Sequence, residues 1–224
     1  MPLPPLSEIS PTGMPGGGAL FAPRGRDDLL AAAEARLSEA AGVWRMRLLA
    51  RDLIGALGPA VERALHDAGL PARLRRVVSV RITRGVREYG SCNIPRADDG
   101  ICRLAFSGHL FFPGNAAVLL DVVAHELLHA CLPPGEGHGG MFHRGMAALN
   151  DRLGLHIQVY SEKTAIRQSE ALYRYKVVCA ACGHAFYYLR AGAVVKHPSR
   201  YRCAKCGEGA FEVYRLETIE NTEA

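Results

Sequence analysis

The residues able to do chemistry concentrate in His125-Glu126-Leu127-Leu128-His129, followed nine residues later by His138 in Gly137-His138-Gly139-Gly140. On a helix, positions i and i+4 share a face, so His125 and His129 can present nitrogens to one divalent ion. Glu126 stands one step round that helix, where it can take a proton from water at the ion without binding the ion itself. With His138 as third ligand, the set is three nitrogens and one open position, the donor arrangement of a catalytic Zn²⁺. The expected reaction is peptide hydrolysis: the metal lowers the pKa of water toward ~7 and polarises the carbonyl, while Glu126 carries the proton to the leaving amine. His143 competes with His138 as third ligand or stands just behind it, and His143 and Tyr160 are candidates for stabilising the oxyanion.

These side chains need a helix to hold them. Pro113-Gly114-Asn115 is a turn with Asn115 as N-cap, and Pro133-Pro134-Gly135 forbids continuation, which places the helix over 117–132. Between those signals the residues are apolar almost all round, the pattern of a buried helix. Burying His125, Glu126 and His129 in it is costly unless a partner satisfies them. The bland alternative is a pair of core histidines bonded to neighbours; the capped apolar helix and the Gly-rich loop carrying His138 weigh against it. A second helix over 140–153 is expected to end at Gly154.

A second metal signature follows. Cys179-Ala180-Ala181-Cys182-Gly183 and Cys203-Ala204-Lys205-Cys206-Gly207 form C-x2-C-x20-C-x2-C, two knuckles with glycine in the same place. Four thiolates saturate a Zn²⁺, so this site is structural and should hold together a module otherwise too small for a good core. The chain has seven cysteines; Cys92, Cys102 and Cys131 remain. That odd remainder argues against a disulfide framework and for a reducing, cytoplasmic interior. Cys131 reads as core filler, and Cys92 and Cys102 could face each other across a hairpin.

Upstream, residues 27 to 70 read as helix, with Leu29, Leu30, Leu37, Leu48, Leu49, Leu53, Ile54, Leu57 and Val61 near helical period and a break around Gly58-Pro59. Trp44, the only tryptophan, is expected in the core of this layer. Val77 to Ile82 and Ile101 to Phe106 are β-rich and should pair through the intervening loop as a small antiparallel sheet. Residues 1–25, with Pro clusters and Gly16-Gly17-Gly18, read as a disordered leader. No secretory signal or membrane span is expected.

The chain resembles the SprT-like family of zinc metallopeptidases, which includes the Spartan proteases that degrade proteins crosslinked to DNA. The resemblance rests on His125-Glu126-Leu127-Leu128-His129-Ala130, on Gly137-His138-Gly139-x-x-Phe142, on the strand and turn from Ile101 to Phe111, and on the ribbon that follows. It implies an α+β chain: a compact zincin-like metallopeptidase domain over 26–165, with helices and a small antiparallel sheet, then a C-terminal β zinc ribbon over 170–215 and a tail over 216–224. It also implies His125, His129 and His138 as ligands of a catalytic zinc, Glu126 as the acid/base, Cys179, Cys182, Cys203 and Cys206 as ligands of a structural zinc, and DNA-protein crosslink repair as the setting, nucleoid-associated if the source is bacterial.

Charge bears on that setting. The overall balance of +5 is mild. From Arg174 to Cys206, however, there are seven basic residues (Arg174, Lys176, Arg190, Lys196, Arg200, Arg202, Lys205) and no Asp or Glu, with Tyr175, Phe186, Tyr187, Tyr188 and Tyr201 interleaved. Such a ribbon could grip phosphates and stack the bases of single-stranded or junction-like DNA; the plainer reading is a solubilising surface. Two functions therefore stand: a peptidase acting on DNA-associated proteins, or a nucleic-acid-binding, transcription-associated ribbon protein whose HExxH domain is an idle scaffold.

Overall fold

Helix α3 (Ala116–Cys131) is apolar almost all round, and the elements around it are arranged to bury it. In the computed structural model, the residues described are 26–39, 42–85, 88–97, 99–159, 166 and 169–216; the leader over 1–25, Tyr160 and the tail beyond 216 lie outside them. The elements in chain order are α1 (Arg26–Glu39), α2 (Val43–Asp67), β1 (Arg76–Thr83), β2 (Gly90–Asn93), β3 (Ile101–Ser107), α3, α4 (Gly140–Leu153), β4 (Tyr175–Cys179), β5 (Ala185–Tyr188), α5 (Ala193–Lys196) and β6 (Phe211–Arg215). Among the described residues this is a mixed α+β fold with two three-stranded sheets. No helix among them is long and apolar enough to cross a membrane.

Leu119, Leu120, Val123, Ala124, Leu127 and Leu128 of α3 are all at most 1% exposed. They pack among α1, α2, α4 and β2. Gly145 on α4 makes the close approach possible, because a Cβ there would stand 2.6 Å from Leu128 Cδ1 and 2.9 Å from Leu65 Cδ2. Asn115 occupies the N-cap position but makes no side-chain cap bond; its Nδ2 donates to the His109 carbonyl at 2.8 Å. At the other end, the buried Arg75 serves carbonyls that the helix leaves without partners. Its Nη1 donates to Ala130 O at 3.0 Å and Leu132 O at 2.6 Å, and the backbone N–H of Arg73 donates to Cys131 O.

The first sheet has the order β1-β3-β2. Its two apolar strands are neighbours, but β1 and β3 run parallel, not antiparallel. The expectation missed β2, whose Gly90-Ser91-Cys92-Asn93 is too short and polar to announce a strand. The chain reverses into β2 and again into β3, which restores the direction of β1 and makes β3 the central, most buried strand. Cys92 and Cys102 do meet across this hairpin as free thiols in side-chain contact.

Two further expectations are corrected. The helical layer is not interrupted at Gly58-Pro59: α2 runs through Pro59, and Gly42, just before α2, has φ 111°. Pro59 lies on the exposed face with Gly55, so water can serve the Gly55 carbonyl that the proline leaves without a donor. Trp44 is not a core residue. It is 46% exposed, with the Arg45 guanidinium over its ring, because Val43, Met46, Leu49 and Ala50 form the buried stripe of α2 and position 44 falls outside it.

The second sheet, order β5-β4-β6, is antiparallel throughout and carries the cysteine knuckles. It meets the first part of the chain at His109, which follows β3. His109 is fully buried, its ring lies 5.4 Å from that of Tyr173, and its Nδ1 accepts the Ser169 N–H at 3.3 Å. Its Nε2 is buried without a hydrogen-bond partner. Burial holds this imidazole down to about 4. The unfolded chain binds a proton there near pH 6.5, so stability from neutral His109 is fully present above that value and is lost as pH falls toward about 4. Urea unfolding at pH 7 and pH 5 should show wild type losing about 2 kcal/mol more than His109→Asn, which keeps an acceptor near the Nδ1 position; equal losses would contradict this.

Candidate metal centre

α3 places His125 and His129 one turn apart, and the loop after its C-terminus returns His138 to the same point. The loop folds back through Gly135 at φ 83° and Gly137 at φ 55°. Glu136 then fastens it to α4, its Oε1 accepting the Met141 N–H at 2.8 Å. A Cβ at Gly139 would crowd that carboxylate, 2.5 Å from Glu136 Oε1 and 3.0 Å from the Glu136 carbonyl oxygen. The Nε2 atoms converge: His125 to His138 is 3.1 Å, His125 to His129 is 3.2 Å and His129 to His138 is 3.1 Å. Three nitrogens sharing a tetrahedral ion at ~2.0–2.1 Å would be ~3.3 Å apart, so the spacing fits a shared cation. Among the described residues the donor set is these three, and His143 is not in it.

Phe142, fully buried at the start of α4, supports all three rings, with centroid separations of 4.9, 4.6 and 4.7 Å to His125, His129 and His138. The electrostatics suit metal binding. Burial first, then the neighbouring imidazoles, pushes His125 and His129 down to about 4, and burial with the nearby His143 lowers His138. All three are neutral bases near pH 7, the form a metal takes. His125 Nδ1 lies 3.0 Å from the Gln158 carbonyl. A carbonyl can only accept, so Nδ1 carries the hydrogen and Nε2 keeps its lone pair for the ion.

Glu126 is 4% exposed and faces β2. A Cβ on Gly90 would stand 2.5 Å from Glu126 Oε1 and 2.8 Å from its Cγ, so only glycine lets the strand lie this close to the carboxylate. Burial, and then the charge of Glu88, raises the Glu126 carboxyl to about 8 when no cation is present. A divalent ion beside it acts in the opposite direction.

The four ribbon cysteines also converge. Cys179 and Cys206 sulfurs are 3.6 Å apart, Cys182 and Cys203 sulfurs 3.7 Å, and all four lie within 4.8 Å of one another. Thiolates on one tetrahedral ion at ~2.3 Å would be ~3.8 Å apart. The two knuckles repeat one geometry. Gly183 N–H donates to Cys179 O and Gly207 N–H to Cys203 O, both at 2.8 Å, with φ 68° and 81° at the two glycines. Among the described residues these two clusters are the groups able to hold a metal ion.

The basic residues divide. Arg174, Arg190, Lys196, Arg200, Arg202 and Lys205 are exposed. Lys176 is instead engaged with Glu170, Nζ to Oε1 3.0 Å, and lies over the Tyr187 ring. Glu170 precedes the acid-free stretch, so counting charges from Arg174 onward hid this pair. Tyr201 is 37% exposed, whereas Tyr175, Tyr187 and Tyr188 are half-buried.

Compared with protein-family models, with curated proteins and with solved structures, the chain matches none. Sequence reasoning brought together every residue of the two clusters but missed what surrounds them. Gly90 and Glu88 sit on an unannounced strand and its approach, and Gln158 contributes a backbone carbonyl, which no side-chain pattern marks. Phe142 entered only through a resemblance; its place four residues after His138, at the start of an amphipathic helix, was the available signal. Separate cluster identities give a direct test. Cys203→Ser should remove one of two metal equivalents per chain and expose residues 170–215 to limited proteolysis while the rest stays resistant; unchanged metal content would contradict the four-sulfur site.

Proposed function

We propose that this chain is a zinc metalloendopeptidase of zincin-like architecture that hydrolyses proteins associated with or crosslinked to DNA, with a structural zinc in the ribbon. The observation that carries the reading is the convergence of three neutral imidazoles next to a buried carboxylate at the edge of a sheet. Zinc held by His125, His129 and His138 supplies a Lewis acid that activates water and polarises a peptide carbonyl. The chain's own residues perform the remaining tasks. Glu126 accepts the water's proton on a carboxylate oxygen and returns it to the leaving amine. Glu126 is one position from a ligand, so the helix fixes its place relative to the three nitrogens. β2 is an edge strand, and an extended substrate added alongside it would gain backbone hydrogen bonds beside Glu126. Phe142 keeps the imidazole faces dry, and Gln158 keeps His125 in the metal-binding tautomer.

Glu126 also bears on the competing reading, an idle scaffold behind a nucleic-acid-binding ribbon. A scaffold needs the ligands but gains nothing from a buried carboxylate beside them, which is costly to keep. Glu126→Gln should retain two zinc equivalents and lose proteolysis by at least about 100-fold. Gly90→Val, which forces the carboxylate aside, should do the same. Wild-type cleavage by the zinc-loaded Gln variant would overturn the peptidase reading and leave the scaffold.

For the nucleic-acid arm, exposed Arg200 and Arg202 flank exposed Tyr201, a cationic and aromatic combination suited to phosphates and unpaired bases. Neutralising both arginines should weaken single-stranded DNA binding and reduce its salt dependence by up to about two units in log–log slope. Binding that ignores both salt and the substitutions would refute the DNA partner.

A further inference from the structure

The segment after α4 holds His125 from behind, and its own attachment is unusually complete. Both backbone polar groups of Ile157 are taken by one side chain: Asn150 Oδ1 accepts the Ile157 N–H at 2.8 Å and Asn150 Nδ2 donates to the Ile157 carbonyl at 3.1 Å. One residue earlier, the His156 N–H donates to Asp121 Oδ1 at 2.9 Å. One residue later, the Gln158 carbonyl meets His125 Nδ1. Leu155 and Ile157 are 3% and 2% exposed, so their side chains anchor the segment in the core. Asn150 lies on α4, the helix whose first turn carries Phe142, and Asp121 lies on α3, one turn before His125.

We propose that Asn150, assisted by Asp121, is a positioning residue for the three-imidazole metal centre, acting on His125 through residues 156–158. The inference rests on reading His125, His129 and His138 as metal ligands, but not on any reaction. A loop carbonyl sets a ring's tautomer only if it stays within hydrogen-bond distance, and a free backbone segment does not. Asn150 replaces the sheet partner that this extended segment lacks, pairing with Ile157 as a neighbouring strand would. Asp121 fixes the adjacent N–H to the ligand helix itself. Together they place the Gln158 oxygen where Nδ1–H must point, which orients Nε2 toward the other two nitrogens. Partners of this kind typically change metal affinity 10- to 100-fold.

The test uses the full chain with its ribbon site filled. Zinc is titrated into the histidine site against a fluorescent chelator, and the His125 tautomer is read by nitrogen-15 NMR before zinc is added. Asn150→Ala should bind zinc about 10- to 100-fold more weakly and shift His125 from the pure Nδ1–H form toward a tautomer mixture, with the ribbon zinc retained. Asp121→Asn, which keeps an acceptor for His156, should stay near wild type. Wild-type zinc affinity with an unchanged tautomer in folded Asn150→Ala would overturn the proposal. If that variant does not fold, Asp121→Ala is read the same way, with the same two outcomes. Because no substrate enters, a protein that binds zinc normally yet cleaves nothing would sink the peptidase reading and leave this one intact.

Discussion

Three imidazole nitrogens held 3.1 to 3.2 Å apart, with their lone pairs facing one point, are the constraint on which the rest of the molecule depends. That spacing fits one shared cation, which would replace the water each buried nitrogen has lost. Much of the chain can be traced to this requirement. α3, buried on nearly every side, holds two of the imidazoles, and the Pro/Gly loop doubles back to bring the third. Glu136 ties that loop to α4, and α4 in turn supplies Phe142 beneath the rings.

The two clusters were readable from sequence because metal chemistry demands particular side chains at particular spacings. His125 and His129 are related by one helical turn, and each cysteine knuckle by a turn that ends in glycine. Helix α4 was readable for the same reason: Gly154, at φ 65°, stops it where a left-handed residue must. What escaped was whatever depends on backbone or on distant packing. β2 carries no hydrophobic alternation, so the parallel pairing of β1 with β3 could not be foreseen. Pro59 looked like a break because sequence does not reveal that it faces water, and Trp44 looked buried because size is a poor guide to which helix face an aromatic takes. Lys176 looked available to phosphate because its partner, Glu170, stood just outside the stretch being counted.

The two metal clusters differ in a way that fits different duties. Four sulfurs on one tetrahedral ion would leave it nothing to react, which suits a small sheet whose buried side chains are few, Val177 and Cys179 among them. The three nitrogens found among the described residues would leave a tetrahedral ion one further position, beside a carboxylate and an edge strand. The residues before the second sheet meet the first part of the chain through His109, which contacts Ser169 and Tyr173. A close approach at Gly108, where a Cβ would stand 3.2 Å from Leu172 Cδ1, leaves little room to repack that seam.

The most direct measurement is zinc-edge X-ray absorption on the full chain carrying two equivalents of zinc. Nitrogen or oxygen neighbours near ~2.0 Å together with sulfur near ~2.3 Å, with the imidazole scattering pattern in the outer shell, are expected if both clusters are occupied. A spectrum explained by sulfur alone, with the second equivalent loosely bound, would contradict the three-imidazole centre.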